Sequence, residues 1–204
     1  MTEKPILFSG PMVRAILSGS KTQTRRVLKP QPRCASVWQE KATGRWLSND
    51  RHGGDEYIPV RWAPGDSLWV REVFSGPHEC ADTPPGEWRN VAIWYWADGN
   101  PEEGHWTKPK PSIHMPRWAS RITLAVTGVR VERLQSISEA DALAEGMRAP
   151  YLGDGDPPYE EIPSMIGPVQ QFRNLWNTIN GPGAWDANPY VCMIEFRRME
   201  DKQP

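Results

Sequence analysis

The stretch from Pro30 to Pro116 does most to limit what this chain can fold into, because it is dense in Pro, Gly and Trp and breaks every hydrophobic period before it becomes long. Proline fixes φ and lacks an N–H, so such a stretch is cut into short strands and turns, for example Ala92 to Trp96, and regular βα alternation is excluded. Within it Pro64-Gly65-Asp66 makes a turn. The residues after the turn alternate, with Leu68 and Val70 on one side and Trp69 and Arg71 on the other. Longer elements flank the stretch. Pro5 to Phe8 suits a strand, and Pro11 to Leu17 a helix with proline at its favoured first position and Ser18-Gly19 at its end. From Arg121 to Glu132 the alternation of Ile122, Leu124 and Val126, then Val129 and Val131, marks a strand with a bulge or bend at Gly128. Ser138-Glu139-Ala140-Asp141 is close to a capping box and opens a helix that Gly146 stops after Glu145. A second helix starts at Gly167-Pro168, carries Val169, Phe172, Leu175, Trp176 and Ile179 at helical spacing, and ends at Asn180-Gly181-Pro182. The apolar density of Tyr190 to Phe196 predicts a central strand. Strands and helices mixed in this order give an α+β chain, a small barrel decorated by helices.

At 204 residues the chain is read as one domain. Its formal net charge of −1 excludes the whole-molecule positive field of many DNA-binding proteins, so any nucleic-acid contact must come from a patch. Two patches are available. No acid falls between Glu3 and Glu40, where Lys4, Arg14, Lys21, Arg25, Arg26, Lys29 and Arg33 stand, and none between Gly104 and Val131. The acids gather from Glu139 to Glu161. Cys34, Cys80 and Cys192 are far apart, and His78-x-Cys80 is too small a set for a metal, so no metal site and no cofactor is expected. No apolar run approaches a membrane span and no signal-peptide core is present, which predicts a cytoplasmic, reduced protein.

The candidate chemistry lies in Gly19-Ser20-Lys21-Thr22-Gln23-Thr24-Arg25-Arg26, just past a helix end. On a straight strand Lys21 and Thr24 would face opposite ways, so joint action needs a turn. Burial and neighbouring arginines lower the pKa of a lysine, and a neutral lysine can take the proton of a threonine hydroxyl attacking an amide carbonyl. Glu145, in the last turn of its helix where a carboxylate is disfavoured, is either paired with a cation such as Lys21 or exposed. Eleven tryptophans, nine of them between Trp38 and Trp118, offer rings for base stacking or for a core. Trp69 with Arg71, Glu72, and His114 with Arg117 and Trp118 are candidate ligand residues.

Three blocks together resemble the ASCH domain of the PUA-like superfamily, in its phage or prophage form: Ile6 to Phe8 with Met12 to Arg26, then Pro64 to Glu72, then Ile137 to Met147 with the closing helix and strand. The resemblance covers about half the chain. It implies a PUA-like mixed β-barrel flanked by helices, here a single domain over 1–204 with Trp- and Pro-rich insertions near 31–63, 75–116 and 148–167. It also implies a cleft for RNA or a modified nucleoside, and in some small bacterial members an amidohydrolase acting on N4-acetylcytidine through lysine, threonine and glutamate. The matching residues are Lys21, Thr24 and Glu145, with Glu139 and Glu72 as alternatives for the carboxylate, and Arg25, Arg26, Trp69, Arg71, Glu72, His114 and Arg117 as ligand contacts. Binding of RNA or a modified base without chemistry is the second expectation.

Overall fold

The structure, a computed structural model, describes residues 2–32, 36–49, 52–149 and 166–199. In chain order the elements are β1 (Glu3–Leu7), α1 (Gly10–Leu17), β2 (Gln23–Val27), β3 (Val37–Gln39), β4 (Trp46–Asn49), β5 (Asp55–Ile58), β6 (Ser67–Arg71), β7 (Phe74–Ser75), β8 (Trp94–Tyr95), β9 (Thr123–Arg133), α2 (Glu139–Ala144), α3 (Pro168–Asn180) and β10 (Tyr190–Arg198), with short 3-10 turns between several of them. They form two compact units: one from the described residues within 1–19, 65–126 and 196–204, the other from those within 20–64 and 127–195.

In the first unit β1 runs parallel to β6, and β6 pairs antiparallel with the start of β9. Proline begins α1 where its missing N–H costs nothing, and the helix buries Val13 and Ile16. Leu68 and Val70 are buried as the alternation predicts, and Trp69 on the other side is buried as well. The Trp-rich stretch supplies a second core in which Phe74, Trp88, Met115 and Ala119 pack together. The indole N–H of Trp88 donates to the Thr83 carbonyl at 3.1 Å, and that of half-buried Trp96 to the Ser75 hydroxyl at 2.9 Å, so neither ring leaves its donor orphaned. The strand expected from Ala92 to Trp96 is only Trp94–Tyr95, because the chain turns immediately through a 3-10 turn at Trp96–Asp98.

In the second unit the sheet order is β9, β10, β2, and β3, β4 and β5 form a separate antiparallel sheet. β10 buries five consecutive residues, Tyr190 to Ile194, as a strand covered on both faces must. β9 runs from Thr123 through Gly128 to Arg133 as one strand. Ser138 caps α2 with the full reciprocal box: its hydroxyl accepts from the Asp141 N–H, and the Asp141 carboxylate accepts from the Ser138 N–H. α3 lies against α2, and Leu134, Ile137, Ala142, Phe172, Trp176, Trp185 and Val191 make the core. Each large apolar side chain buried this fully contributes roughly 1.5–3 kcal/mol. Ile179, expected on the apolar face of α3, is exposed.

The barrel expected from the sequence is not closed. In the first unit β1 has β6 as its one strand neighbour, and in the second β2 has β10, so each is an open edge. The acidic loop expected at 148–167 falls outside the described residues from 150 to 165, as does Cys34.

Candidate active site

Every residue of this cluster belongs to the second unit. Gly19 and Ser20 lead the chain from α1 to an isolated antiparallel bridge between Lys21 and Glu145, reinforced by the Thr22 N–H donating to the Ala144 carbonyl at 2.8 Å. β2 then begins at Gln23. Glu145 is the C-cap residue of α2, and Gly146 follows at φ 93°, a conformation a side chain would resist. The bridge thus joins the start of β2 to the end of α2.

Lys21 is 2% exposed and Glu145 4%. The Lys21 amine donates to the Glu145 carboxylate Oε2 at 2.7 Å and to the Glu145 backbone carbonyl at 2.8 Å. One ammonium therefore answers both the carboxylate and the negative end of the helix, which resolves the mismatch of a glutamate in a last turn. Burial pushes the Lys21 amine below its ordinary value; Glu145 opposes this and Arg26 and Arg25 add to it. Arg26 is lowered too, through burial, with Glu145 opposing.

Arg25, whose side chain is fully buried, takes the other oxygen of Glu145 at 3.1 Å. It also pairs with Glu132 at 2.8 Å and Asp141 at 3.3 Å, donates to the Gln23 amide oxygen at 3.4 Å, and lies over the Phe172 ring at 5.9 Å. Arg130 extends the network to Glu132, Asp141 and Glu195. For Asp141, burial works to raise the carboxyl pKa, but hydrogen bonds from Ser138 and Gln23 and the Arg25 charge hold it below the usual value.

Thr24 is buried in β2 and pairs in register with Ile194. Strand alternation puts Gln23 and Arg25 on one face and Thr24 and Arg26 on the other. Among the described residues no hydrogen bond joins the Thr24 hydroxyl to Lys21 or Glu145. Amine and carboxylate are thus together, and the alcohol stands three residues along the chain.

The remaining candidates lie in the first unit. The Arg71 guanidinium stacks on the Trp69 ring at 4.6 Å, and Arg117 stands 6.0 Å from the same ring. Arg117 pairs with Glu3 at 2.9 Å. Glu72 is buried and held by Arg121 at 3.0 Å, and burial raises its carboxyl pKa against that pairing. Of the glutamates weighed as partner for Lys21, Glu145 is the one beside it, while Glu72 serves Arg121. His114 is exposed in a 3-10 turn.

The reading from sequence missed Gln23, Glu132, Asp141, Arg130 and Glu195 as members of the cluster. Strand period offered a signal, since Gln23 and Arg25 share a face, and the capping box had already marked Asp141 as turned toward the helix start. Among the described residues no group of three or more His, Cys, Asp or Glu could hold a metal, and no helix is long and apolar enough to cross a membrane.

Comparison with solved structures gives one crystal structure with overall likeness. That neighbour is an ASCH domain. It comes from Lactobacillus crispatus and shares 12% sequence identity over 97% of this chain and 79% of its own, with a TM-score of 0.39. Superposition this loose carries no inference. No family model matches the chain, and no curated protein matches it in sequence.

Proposed function

We propose that the Lys21 cluster is the active site of an amidohydrolase that removes the acyl group from N4-acylated cytosine nucleosides or bases, of the N4-acetylcytidine type. The observation that carries this reading is the dry pairing of the Lys21 amine with Glu145 at 2.7 Å, in surroundings that lower the amine pKa. Ionisable groups perturbed by burial beside a charged partner gather at catalytic sites more than elsewhere. The order of the three ASCH-like blocks in the sequence supports the same substrate class.

In this mechanism neutral Lys21 takes the proton of the Thr24 hydroxyl as its oxygen attacks the acyl carbonyl. The tetrahedral adduct collapses with cleavage of the C–N4 bond, and Lys21, oriented by Glu145, returns the proton to the departing amino group. Water, activated by the same amine, then releases the acid from Thr24. At rest the amine donates to Glu145 instead of Thr24, and catalytic hydrogen bonds are often completed only when substrate is bound. Arg26 is the clamp for the developing oxyanion.

Incubation with N4-acetylcytidine is expected to yield cytidine and acetate, resolved by liquid chromatography. Lys21→Met and Thr24→Ala, each checked for a native circular-dichroism spectrum, are expected to lose at least ~100-fold in rate. Full turnover in either variant would remove that residue from the mechanism, and no hydrolysis by the wild type would remove the reading.

A second reading, binding of RNA or a modified base without chemistry, is favoured by the Arg71–Trp69 stack. It predicts affinity that falls steeply with salt and is weakened by Arg71→Ala.

A further inference from the structure

Trp118 follows Arg117 in the sequence, and neither the Lys21 cluster nor the Arg71–Trp69 stack uses it. In the first unit it lines a cavity of about 330 Å³ with Gly86, Trp88, Arg89 and Asn90. Trp88 gives the cavity an apolar wall: it is 2% exposed and its indole N–H is taken by the Thr83 carbonyl and hydroxyl, so ring carbons are what it offers. Trp118 is 43% exposed. Its neighbour Arg117 is turned to Glu3 and the Trp69 ring instead. A single exposed indole is ordinary on a protein surface, but one that walls a cavity offers its ring to a flat partner.

Arg89 supplies the charge. Its Nη1 donates to the Gly86 carbonyl at 2.7 Å and to the Trp88 carbonyl at 2.8 Å, which holds the guanidinium against two of the residues that line the cavity. Both N–H groups of Nη1 are thereby used. The side-on edge, Nε–H with Nη2–H, meets no acceptor among the described residues, and Arg89 forms no ion pair with any of them. Two parallel donors on a held, charged plane match the paired oxygens of a carboxylate or a phosphate. No acid lines the cavity, so nothing within it answers that charge. Other occupants fit less well. A quaternary ammonium, which aromatic cages often hold, would face the guanidinium. A neutral sugar leaves the charge unanswered, and a bare phosphate ion leaves the Trp118 ring uncovered. The volume lies at the lower end of the ~300–1,000 Å³ of ligand pockets, which limits the occupant to one or two rings.

We propose that this cavity binds a small aromatic oxyanion: the flat ring packs on Trp118, and the carboxylate or phosphate accepts from Nε–H and Nη2–H of Arg89. The site shares no residue with the Lys21 cluster and does not rest on the amidohydrolase reading.

The test uses the full chain at fixed ionic strength with benzoate, phenyl phosphate, benzyl alcohol and cyclohexanecarboxylate, none of which carries an N4-acyl group, so the result is independent of turnover. The Trp118 indole N–H signal is followed by 15N–1H NMR, assigned from its loss in Trp118→Leu. It is expected to move in a saturable manner with benzoate, phenyl phosphate or both, and the tighter of the two identifies the oxyanion. Benzyl alcohol keeps the ring without the charge, and cyclohexanecarboxylate keeps the charge without the flat ring; each is expected to bind at least ~5-fold more weakly. Arg89→Lys, which keeps the charge and loses the fork, is expected to weaken the better anion about tenfold with an unchanged circular-dichroism spectrum. Trp118→Leu, read from the ligand by saturation transfer, is expected to weaken it by about the same factor. A Trp118 signal that moves with neither anion overturns the proposal and leaves a cavity that holds only water. Equal affinity for benzyl alcohol, or in folded Arg89→Lys, overturns the oxyanion contact, and equal affinity for cyclohexanecarboxylate overturns the ring contact.

Discussion

Glu145 divides its two oxygens between two buried cations, Oε2 to Lys21 and Oε1 to Arg25. Removing one partner of a buried pair costs more than the pair itself is worth, because the other charge stays behind in a dry site. Glu145→Ala is therefore expected to destabilise the chain by about 3–5 kcal/mol, measured by urea unfolding. The same dryness fixes a pH dependence. Lys21 in the folded chain lies below the ordinary 10.5. Between the two values the unfolded chain binds more protons than the folded one, so stability rises with pH across that window. Below the window both states are protonated and the burial penalty is complete. Urea midpoints taken across it are expected to rise more steeply for the wild type than for Lys21→Met. Cys192 offers a simpler check: burial pushes its thiol up to about 12, so peptide mass spectrometry of the native protein after iodoacetamide is expected to find it unmodified.

Among the elements, those with a sustained period were legible. α1, α3, β6, β9 and β10 fall within a few residues of where the spacing of their apolar residues places them. The hairpins of β3, β4 and β5 were not read, since three or four residues are too few to show a period, and Trp46 and Tyr57 are as typical of a loop in a Trp-rich stretch as of a strand. The capping box was legible because its two side chains and their spacing are themselves the mechanism. Ser138→Ala is expected to cost about 1 kcal/mol, a fall of ~2–4 °C in Tm by calorimetry. A harsher outcome is expected at Gly76. A methyl there would stand 2.4 Å from the Trp88 ring, which is locked in the core, so Gly76→Ala is expected to destabilise by about 1–3 kcal/mol in urea.

At the scale of the whole molecule, the order of strands and helices along the chain predicted α+β, and mixed sheets with few helices are what form. How the chain divides could not be read, because each compact unit is assembled from separated segments, and β9 and β10 contribute to both. The open sheets were equally hidden: alternation shows that a strand has two faces but not whether the end strands meet. Of the candidate site, Lys21 with Glu145 was legible from charge and helix position, whereas the carboxylates around Arg25 depend on contacts more than a hundred residues apart in sequence. Burial also sets where the fold opens last. The amides of β10 from Tyr190 to Ile194 are expected to be among the slowest to exchange with solvent, and those of β3 to β5 faster, by native-state hydrogen exchange.

Because the Lys21 amine grips the main-chain oxygen of Glu145 as well as its side chain, the winding of the last turn of α2 and the basicity of that amine form a single variable. Fraying at this helix end would return the nitrogen to water and make it an ordinary, fully protonated surface lysine. Rewinding it dries the nitrogen again and loosens its hold on the proton, so a local order–disorder step sets how tightly that amine keeps its charge.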